Sequence, residues 1–486
     1  MGLNGHRATE PGLWKRPPTF PAQDPCWTAA LRRVRRLVDS CRFERVYAPI
    51  EFVALLGESA SCAVETYLEL PRDGDLLLIH KGQTEHWSLQ SLQQLGQFSC
   101  LWANSVFALY AHRSRRRWSD WPIARHVPRR GSLERLPVKR PGTPEVLLIS
   151  AGNMGNLGDD AVTTCAARII GAAAGAAHIV RRGPPIMRAD VARASCVVLG
   201  GGGLLYDACP HNLQNYALPL LMAAELHRPA VCLGIGTQGV RTDLGRRLLA
   251  HALSNCRWVS VRDPGDADRL RDIAPDAKLS VDQDLAFHLG TVAVRTGSIN
   301  PEYPRIGVSW VSPEPMLAKD NMRKYQRAID ETADLAPPGA SIELVVQSRD
   351  DLSMYQRWQN HKGLRIRTFK GQAIEAVLEY YACLDLVLTS RYHGFIFALL
   401  TGRPVICTGS SQGKIARLIK YAVPSAEPCF IALAEFDSSV LHERLIRYMN
   451  DPHALMPKAS EVIACVERAR ALDQRLAYEC GKISGQ

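Results

Sequence analysis

No C-x-x-C pair occurs among the fourteen cysteines of this 486-residue chain. The cysteines are scattered, and several, such as Cys196, Cys232 and Cys407, stand inside apolar runs. Small buried hydrophobes account for them better than disulfides or zinc ligands, so no metal is expected. Nor is there an apolar run long enough to span a bilayer. Even residues 218–236 carry Glu225, His227 and Arg228. The first twenty residues lack the apolar core of a signal peptide. Gly2 invites N-myristoylation, but His6 stands where that motif has Ser or Thr. These absences predict a cytoplasmic protein. A recognisable nucleic-acid-binding module is also missing, and no nucleic acid partner is expected.

What the chain does have is an uneven positive charge. The net charge is +11, and residues 111–144 alone hold ten Lys/Arg against Asp120 and Glu134, a net +8. Five Pro or Gly residues near its end make this a basic linker. It reads first as a solvated tether. Its functional reading is peripheral contact with anionic lipid at the inner face of a membrane. The N-terminus, 1–25, reads as disordered, and 26–110 as a small α/β region, with a helix at 31–41 and strands at 75–82 and 100–112.

From 145 onward short apolar strands alternate with helical stretches, the pattern of parallel sheets covered on both faces. Strands are expected at 146–150, 196–200, 230–235 and 257–262. The alternation pauses at 289–304 and restarts with strands at 305–311, 342–347, 364–369, 384–390 and 404–409. The fold expected is therefore α/β: two Rossmann-like domains, 145–303 and 304–486, facing a cleft, with helices at 439–450 and 459–480 at the C-terminus. Ligands of such sheets bind beyond the C-terminal ends of the strands.

Glycine-rich stretches fall at those ends. In ISAGNMGNLGDDAV (149–162) three glycines precede Asp159 and Asp160, and no lysine follows, so this is neither a P-loop nor a dinucleotide fingerprint. The two carboxylates would repel a phosphate. They suit sugar hydroxyls, or else one of them caps the following helix. LGGGGLLYD (199–207) and GIGTQGV (234–240) read as loops that let a ligand approach backbone, or as tight turns. Arg262, in VSVRDPGDADRL, could clamp an anion or pair with Asp263 or Asp266. In the second domain SRYHG (390–394) places Arg391, His393 and Gly394 where a strand gives way to a helix, whose dipole favours an anion. Lys414 adds a cation one loop further on.

Together NMGNLGDDAV, the glycine run, VRD, DLAF (284–287) and SRYHGFIFALLTGRPVI resemble the polysaccharide pyruvyl transferase family over roughly 145–430. The strongest part is R-x-H-G with x-G-x-P downstream. The resemblance implies a glycosyltransferase B-like pair of domains. It also implies transfer of the enolpyruvyl unit of phosphoenolpyruvate to a sugar of a surface polysaccharide or its lipid-linked precursor, giving a pyruvate ketal. No cofactor is implied beyond phosphoenolpyruvate as donor. On this reading Arg262, Arg391, Lys414 and Gly394 bind the donor, and His393 and Arg391 serve catalysis. Asn153, Asn156, Asp159, Asp160, Gly201 and Gly202 form the acceptor side. Two other readings fit the same residues: a glycosyltransferase using a nucleotide sugar, and a non-catalytic scaffold in polysaccharide assembly.

Overall fold

A computed structural model describes residues 20–484 apart from 41–42, 58–62, 66–73, 85–91, 93, 96–97, 113–143, 153–154, 176, 185, 209–211, 291–298, 312–318 and 363. The expectations for residues 1–19 and for almost all of the basic segment fall outside the described residues.

Near the N-terminus, β1 (Arg45–Tyr47), β2 (Ala63–Glu65), β3 (Leu76–His80), β4 (Phe98–Ala103) and β5 (Phe107–His112) form a mixed sheet of order β2-β1-β3-β5-β4. The single strand expected at 100–112 is in fact a hairpin. Asn104 turns the chain, its Oδ1 accepting from the backbone N–H groups of Val106 and Phe107 at 2.9 and 2.7 Å, a local bond that competes with extended pairing.

Two parallel six-stranded sheets follow. The first, β6 (Glu145–Ile149), β7 (His178–Arg182), β8 (Cys196–Tyr206), β9 (Ala230–Gly239), β10 (Trp258–Val261) and β11 (Leu279–Val281), has the order β11-β10-β9-β8-β6-β7. The second comprises β12 (Arg305–Ser309), β13 (Ser341–Val345), β14 (Arg365–Arg367), β15 (Leu386–Thr389), β16 (Val405–Gly409) and β17 (Phe430–Ala432), in the order β14-β13-β12-β15-β16-β17. Each is Rossmann-like, and in each the strand order reverses at one point: between β6 and β8, and between β12 and β15. Loops leaving neighbouring strands in opposite directions open a crevice there. The two crevices face one another, giving the glycosyltransferase B-like architecture.

Residues alternate between faces along each strand, and this divides the core. Val146 and Leu148 point to the helix Leu157–Ala174 and join the apolar cluster of the second domain. Leu147 and Ile149 point the other way, into a cluster shared with Leu77, Ile79 and Tyr110 of the N-terminal sheet. That sheet is thus packed onto the first Rossmann-like domain. The long C-terminal helix Ala459–Ser484 buries Cys465, Ala469, Leu472 and Leu476 in the first of these clusters. It also reaches β10, where Arg475 lies 4.8 Å above the Trp258 ring. Each fully buried Leu or Val contributes about 1.5–3 kcal/mol, so this helix straps the two domains together.

The glycine runs are not loops. β8 continues through Gly200–Gly203 to Tyr206, and β9 through GIGTQG to Gly239. Their pairing holds across two register shifts, with Gly202 opposite Ile235 and Leu205 opposite Thr237. Such irregularities raise the local twist of a strand pair.

Candidate active site

The first domain meets the second at the N-terminus of the Leu157 helix. Asn156 caps that helix, its Oδ1 accepting from Gly158 N–H at 2.9 Å. So the capping role considered for Asp159 and Asp160 belongs to Asn156, and the oxygen of that expected acceptor-binding residue serves the helix. Asn153 lies outside the described residues. Around the cap the glycine loop is pinned to the loop after β13. Arg349 N–H donates to Gly155 C=O at 3.0 Å, and Leu157 N–H to Gln347 C=O at 2.8 Å.

His393, in the first turn of the helix Tyr392–Leu400, reaches into the first domain. Its Nε2 stands 3.6 Å from Asp284 Oδ1. Its Nδ1 packs over Gly158, where a side-chain carbon would come within 1.8 Å. Asp284 is fully buried, accepts from Ala286 N–H at 3.0 Å and faces Arg262 Nη1 at 3.7 Å. Burial pushes its carboxyl pKa up, but His393, Arg262 and the Ala286 N–H outweigh it and hold the group below its usual range. Asp284 is the functional candidate that sequence reasoning passed over. The DLAF motif contains it, but nothing in that motif shows which strand end it meets.

Arg262 makes the ion pairs that one of its two sequence readings describes. It is buried at the end of β10, its Nε donating to Asp266 at 3.1 Å, with Asp263 at 4.0 Å and the Tyr392 ring below it. Burial opposes its charge, yet Asp266, Tyr392, Asp284 and Asp263 together raise its pKa. Its Nη2 is buried without a hydrogen-bond partner. Arg417, another residue not anticipated, crosses from the second domain. It binds Asp263 through Nε and Nη2 at 3.0 and 3.2 Å, and Asp266 at 3.1 Å.

Two opposite charges are left uncommitted, one from each domain. The half-buried Asp159 carboxylate and Lys414 ammonium make no hydrogen bond or ion pair with any described residue. Asp159 Oδ1 stands 3.6 Å from where a side-chain carbon of Gly202 would be, and Lys414 Nζ 3.0 Å from that of Gly203. Burial raises the Asp159 pKa, against the pull of His393 and Lys414; neighbouring Asp160 and Asp284 raise it further. Burial and then the charge of Arg262 draw Lys414 down to about 8.

Three expected site residues sit elsewhere. Arg391 shares a strand end with His393 but turns to the buried Asp351 of its own domain, with which its Nη2 pairs. Its charge is therefore already met, although Nε has no partner. Gly394 is buried under Gln347 and Thr389, where a side-chain carbon would lie 2.4 and 2.6 Å from their polar atoms, so it serves packing. Gly201, at φ +68°, lets the Leu157 helix close onto β8, since a side-chain carbon there would come within 2.7 Å of Val162. Of the expected glycines Gly202 alone abuts a cleft residue. Among the described residues no cluster of His, Cys, Asp and Glu could hold a metal ion, and no helix is long and apolar enough to cross a membrane.

No curated protein matches the chain. Among solved structures it is similar to the Anabaena protein Alr3699/HepE in complex with UDP, at 12% identity and TM-score 0.46, over 70% of this chain and 100% of that one. It is also similar to UDP-GlcNAc 2-epimerase from Neisseria meningitidis bound to UDP-GlcNAc, at 10% identity and TM-score 0.45, over 70% and 100%. The model of the family "Polysaccharide pyruvyl transferase" matches residues 89–412. The match starts ahead of β4, well before the 145 expected from motifs, and stops just short of Lys414 and Arg417. It takes in the capped helix, the glycine strands, Arg262, Asp284 and His393. The chain belongs to the polysaccharide pyruvyl transferase family.

Proposed function

We propose that the protein transfers the enolpyruvyl unit of phosphoenolpyruvate to two hydroxyls of one sugar, forming a pyruvate ketal and releasing phosphate. The observation that carries this reading is the pair of uncommitted charges, Lys414 and Asp159, beside the His393–Asp284 pair. An anionic donor needs the first and a hydroxyl acceptor the second. Family membership supports the coarser statement, a transferase acting on polysaccharide.

In the scheme, His393 protonates carbon 3 of the enol, leaving an oxocarbenium-like centre at carbon 2. Asp284 faces the Nε2 edge of the imidazole and orients it. A sugar hydroxyl adds to carbon 2 as Asp159 takes its proton. Phosphate then departs with the carbon–oxygen electron pair, and a second hydroxyl closes the ketal. Of the two hydroxyl protons one replaces that given to carbon 3, and the other leaves on phosphate. Each positioned acid or base contributes about 10²–10⁴ in rate. The scheme calls for no cofactor. The acceptor is a sugar of a surface polysaccharide or its lipid-linked precursor, met in the cytoplasm at the inner membrane face, where the basic segment 111–144 would lie against anionic lipid.

The second reading, a glycosyltransferase with a nucleotide-sugar donor, uses the same cations for a diphosphate. Thermal-shift titration separates the two. Phosphoenolpyruvate should raise the melting temperature saturably, and nucleotide sugars should not. The reverse order of preference would reject the pyruvyl donor.

A further inference from the structure

The helix Pro25–Ser40 covers the outer face of the N-terminal sheet. Its Trp27, Ala30, Val34 and Leu37 are buried against Leu76, Leu78, Phe107 and Leu109 of the strands. The other face of that sheet, with Leu77, Ile79 and Tyr110, packs on the first Rossmann-like domain. The free side of the helix therefore points away from that domain. It is basic. Arg32 and Arg36 are exposed one turn apart, opposite Val34, and Arg33 and Arg35 flank them, half-buried. Their charges are unmet. None of the four forms an ion pair with a described residue, and neither Asp39 of this helix nor Glu51 of the neighbouring helix Ile50–Gly57 pairs with them. Arg32 Nε reaches Thr28 C=O at 3.4 Å, and Arg35 Nη2 donates to Leu55 C=O at 2.9 Å. The Nε atoms of Arg33 and Arg35 are buried without a hydrogen-bond partner. Burial first, and then the charge of Arg36, lowers the Arg33 pKa. Like charges three and four residues apart on a helix destabilise it, so the stripe does not serve folding.

We propose that this face of the helix Pro25–Ser40 docks on an anionic phospholipid surface, with Arg32, Arg33 and Arg36 against headgroup phosphates. The assignment rests on the membrane-side reading of the acceptor only in choosing lipid among polyanions. It adds a surface of the folded chain to the contact proposed for residues 111–144. The geometry favours lipid over nucleic acid. The side of a helix is convex, and its exposed residues include no aromatic side chain on which a base could stack. A fluid headgroup layer needs no such register, because the phosphates can diffuse to the guanidinium groups. The apolar face of the helix is spent on the sheet, so the docking is electrostatic and weakens with salt. Since the stripe faces away from the first Rossmann-like domain, docking leaves the strand ends at the cleft uncovered.

Sedimentation of the full chain with vesicles tests this, using phosphatidylcholine mixed with phosphatidylglycerol beside phosphatidylcholine alone. Wild-type protein should bind the mixed vesicles at low salt, leave the neutral ones and come off as salt rises. One basic residue near an anionic surface strengthens binding about fivefold. Arg32→Gln combined with Arg36→Gln should therefore weaken it by about tenfold or more. Gln is a good helix former and relieves the repulsion, so this variant should melt no lower than wild type. Arg32→Lys with Arg36→Lys keeps the charge and should bind as wild type does. The basic segment is tested separately by Arg115→Gln, Arg116→Gln and Arg117→Gln. Binding lost in that variant but unchanged in the Arg32 and Arg36 variants overturns the helix as a docking face and leaves the segment's contact standing. Equal loss in the Gln and Lys pairs, no binding to mixed vesicles, or displacement from them by a duplex oligonucleotide also overturns it. Phosphate release from phosphoenolpyruvate, followed without vesicles, reports on pyruvyl transfer independently of every one of these outcomes.

Discussion

His393, Lys414 and Arg262 were legible in the sequence because each stands where a strand hands over to a helix, the place α/β sheets put ligands. Their partners were not. Asp284 arrives on a short 3-10 turn far away in the chain, and Arg391 is claimed by Asp351, a pairing that no local spacing reveals. The Lys414 pKa is drawn to about 8 from an ordinary 10.5, by burial first and then Arg262, with Asp266 and Asp159 opposing and Arg417 adding. A base with a lowered folded pKa holds its proton less well folded than unfolded. Its ammonium therefore costs stability below about pH 8, and stability recovers as pH rises from there toward 10.5. Anion binding runs the other way, since it requires the ammonium. Phosphoenolpyruvate affinity should fall as pH rises through about 8, and the fall should vanish in Lys414→Arg, which stays charged. Titrations at pH 7 and pH 9 check this; a wild-type affinity equal at both would remove Lys414 from the donor site.

At the scale of elements, periodicity identified the buried strands well, since runs such as LLIS and VVLG have few alternatives. Glycine misled the reading in one direction. Long strands with bulges tolerate glycines at positive φ, such as Gly202 at +91°, so a glycine run did not mean a loop. The edge strands β7, β11 and β17 passed unseen, being short and only partly buried. One helical position separates local preference from site geometry. Within a helix alanine is favoured over glycine by about 1 kcal/mol, and Gly158 is in the first turn of the Leu157 helix. Yet the added methyl would collide with the His393 ring. Gly158→Ala should therefore lose about 1–3 kcal/mol of stability as the ring is forced aside, and lose activity by about 10²-fold or more in its folded fraction, as expected when a proton-transfer group is displaced. Normal turnover in that variant would show that the contact of His393 with the helix is irrelevant to catalysis.

For the whole molecule, charge crosses the cleft at several points, and Arg417 with Asp263 and Asp266 is the most buried of these links. Sequence patterning could not show it, because the partners belong to separate β/α series. Arg417→Met should strip the two carboxylates of a shared partner. Breaking a buried pair from one side costs about 3–5 kcal/mol; with Arg262 still facing Asp266, the loss in urea unfolding should lie near the low end. Asp263→Asn added to it should restore part of that loss, and a single variant as stable as wild type would deny the link any structural weight. On the proposed reading a donor and a sugar meet between the domains, with His393 moving the proton. Incubation with phosphoenolpyruvate and a lipid-linked oligosaccharide, following phosphate release and the ketal product, tests it most directly in wild type and His393→Ala. Wild type should give stoichiometric phosphate and ketal, and the variant turnover lowered by about 10²–10⁴ at an unchanged melting temperature. A well-folded His393→Ala protein that forms ketal at the wild-type rate would contradict it.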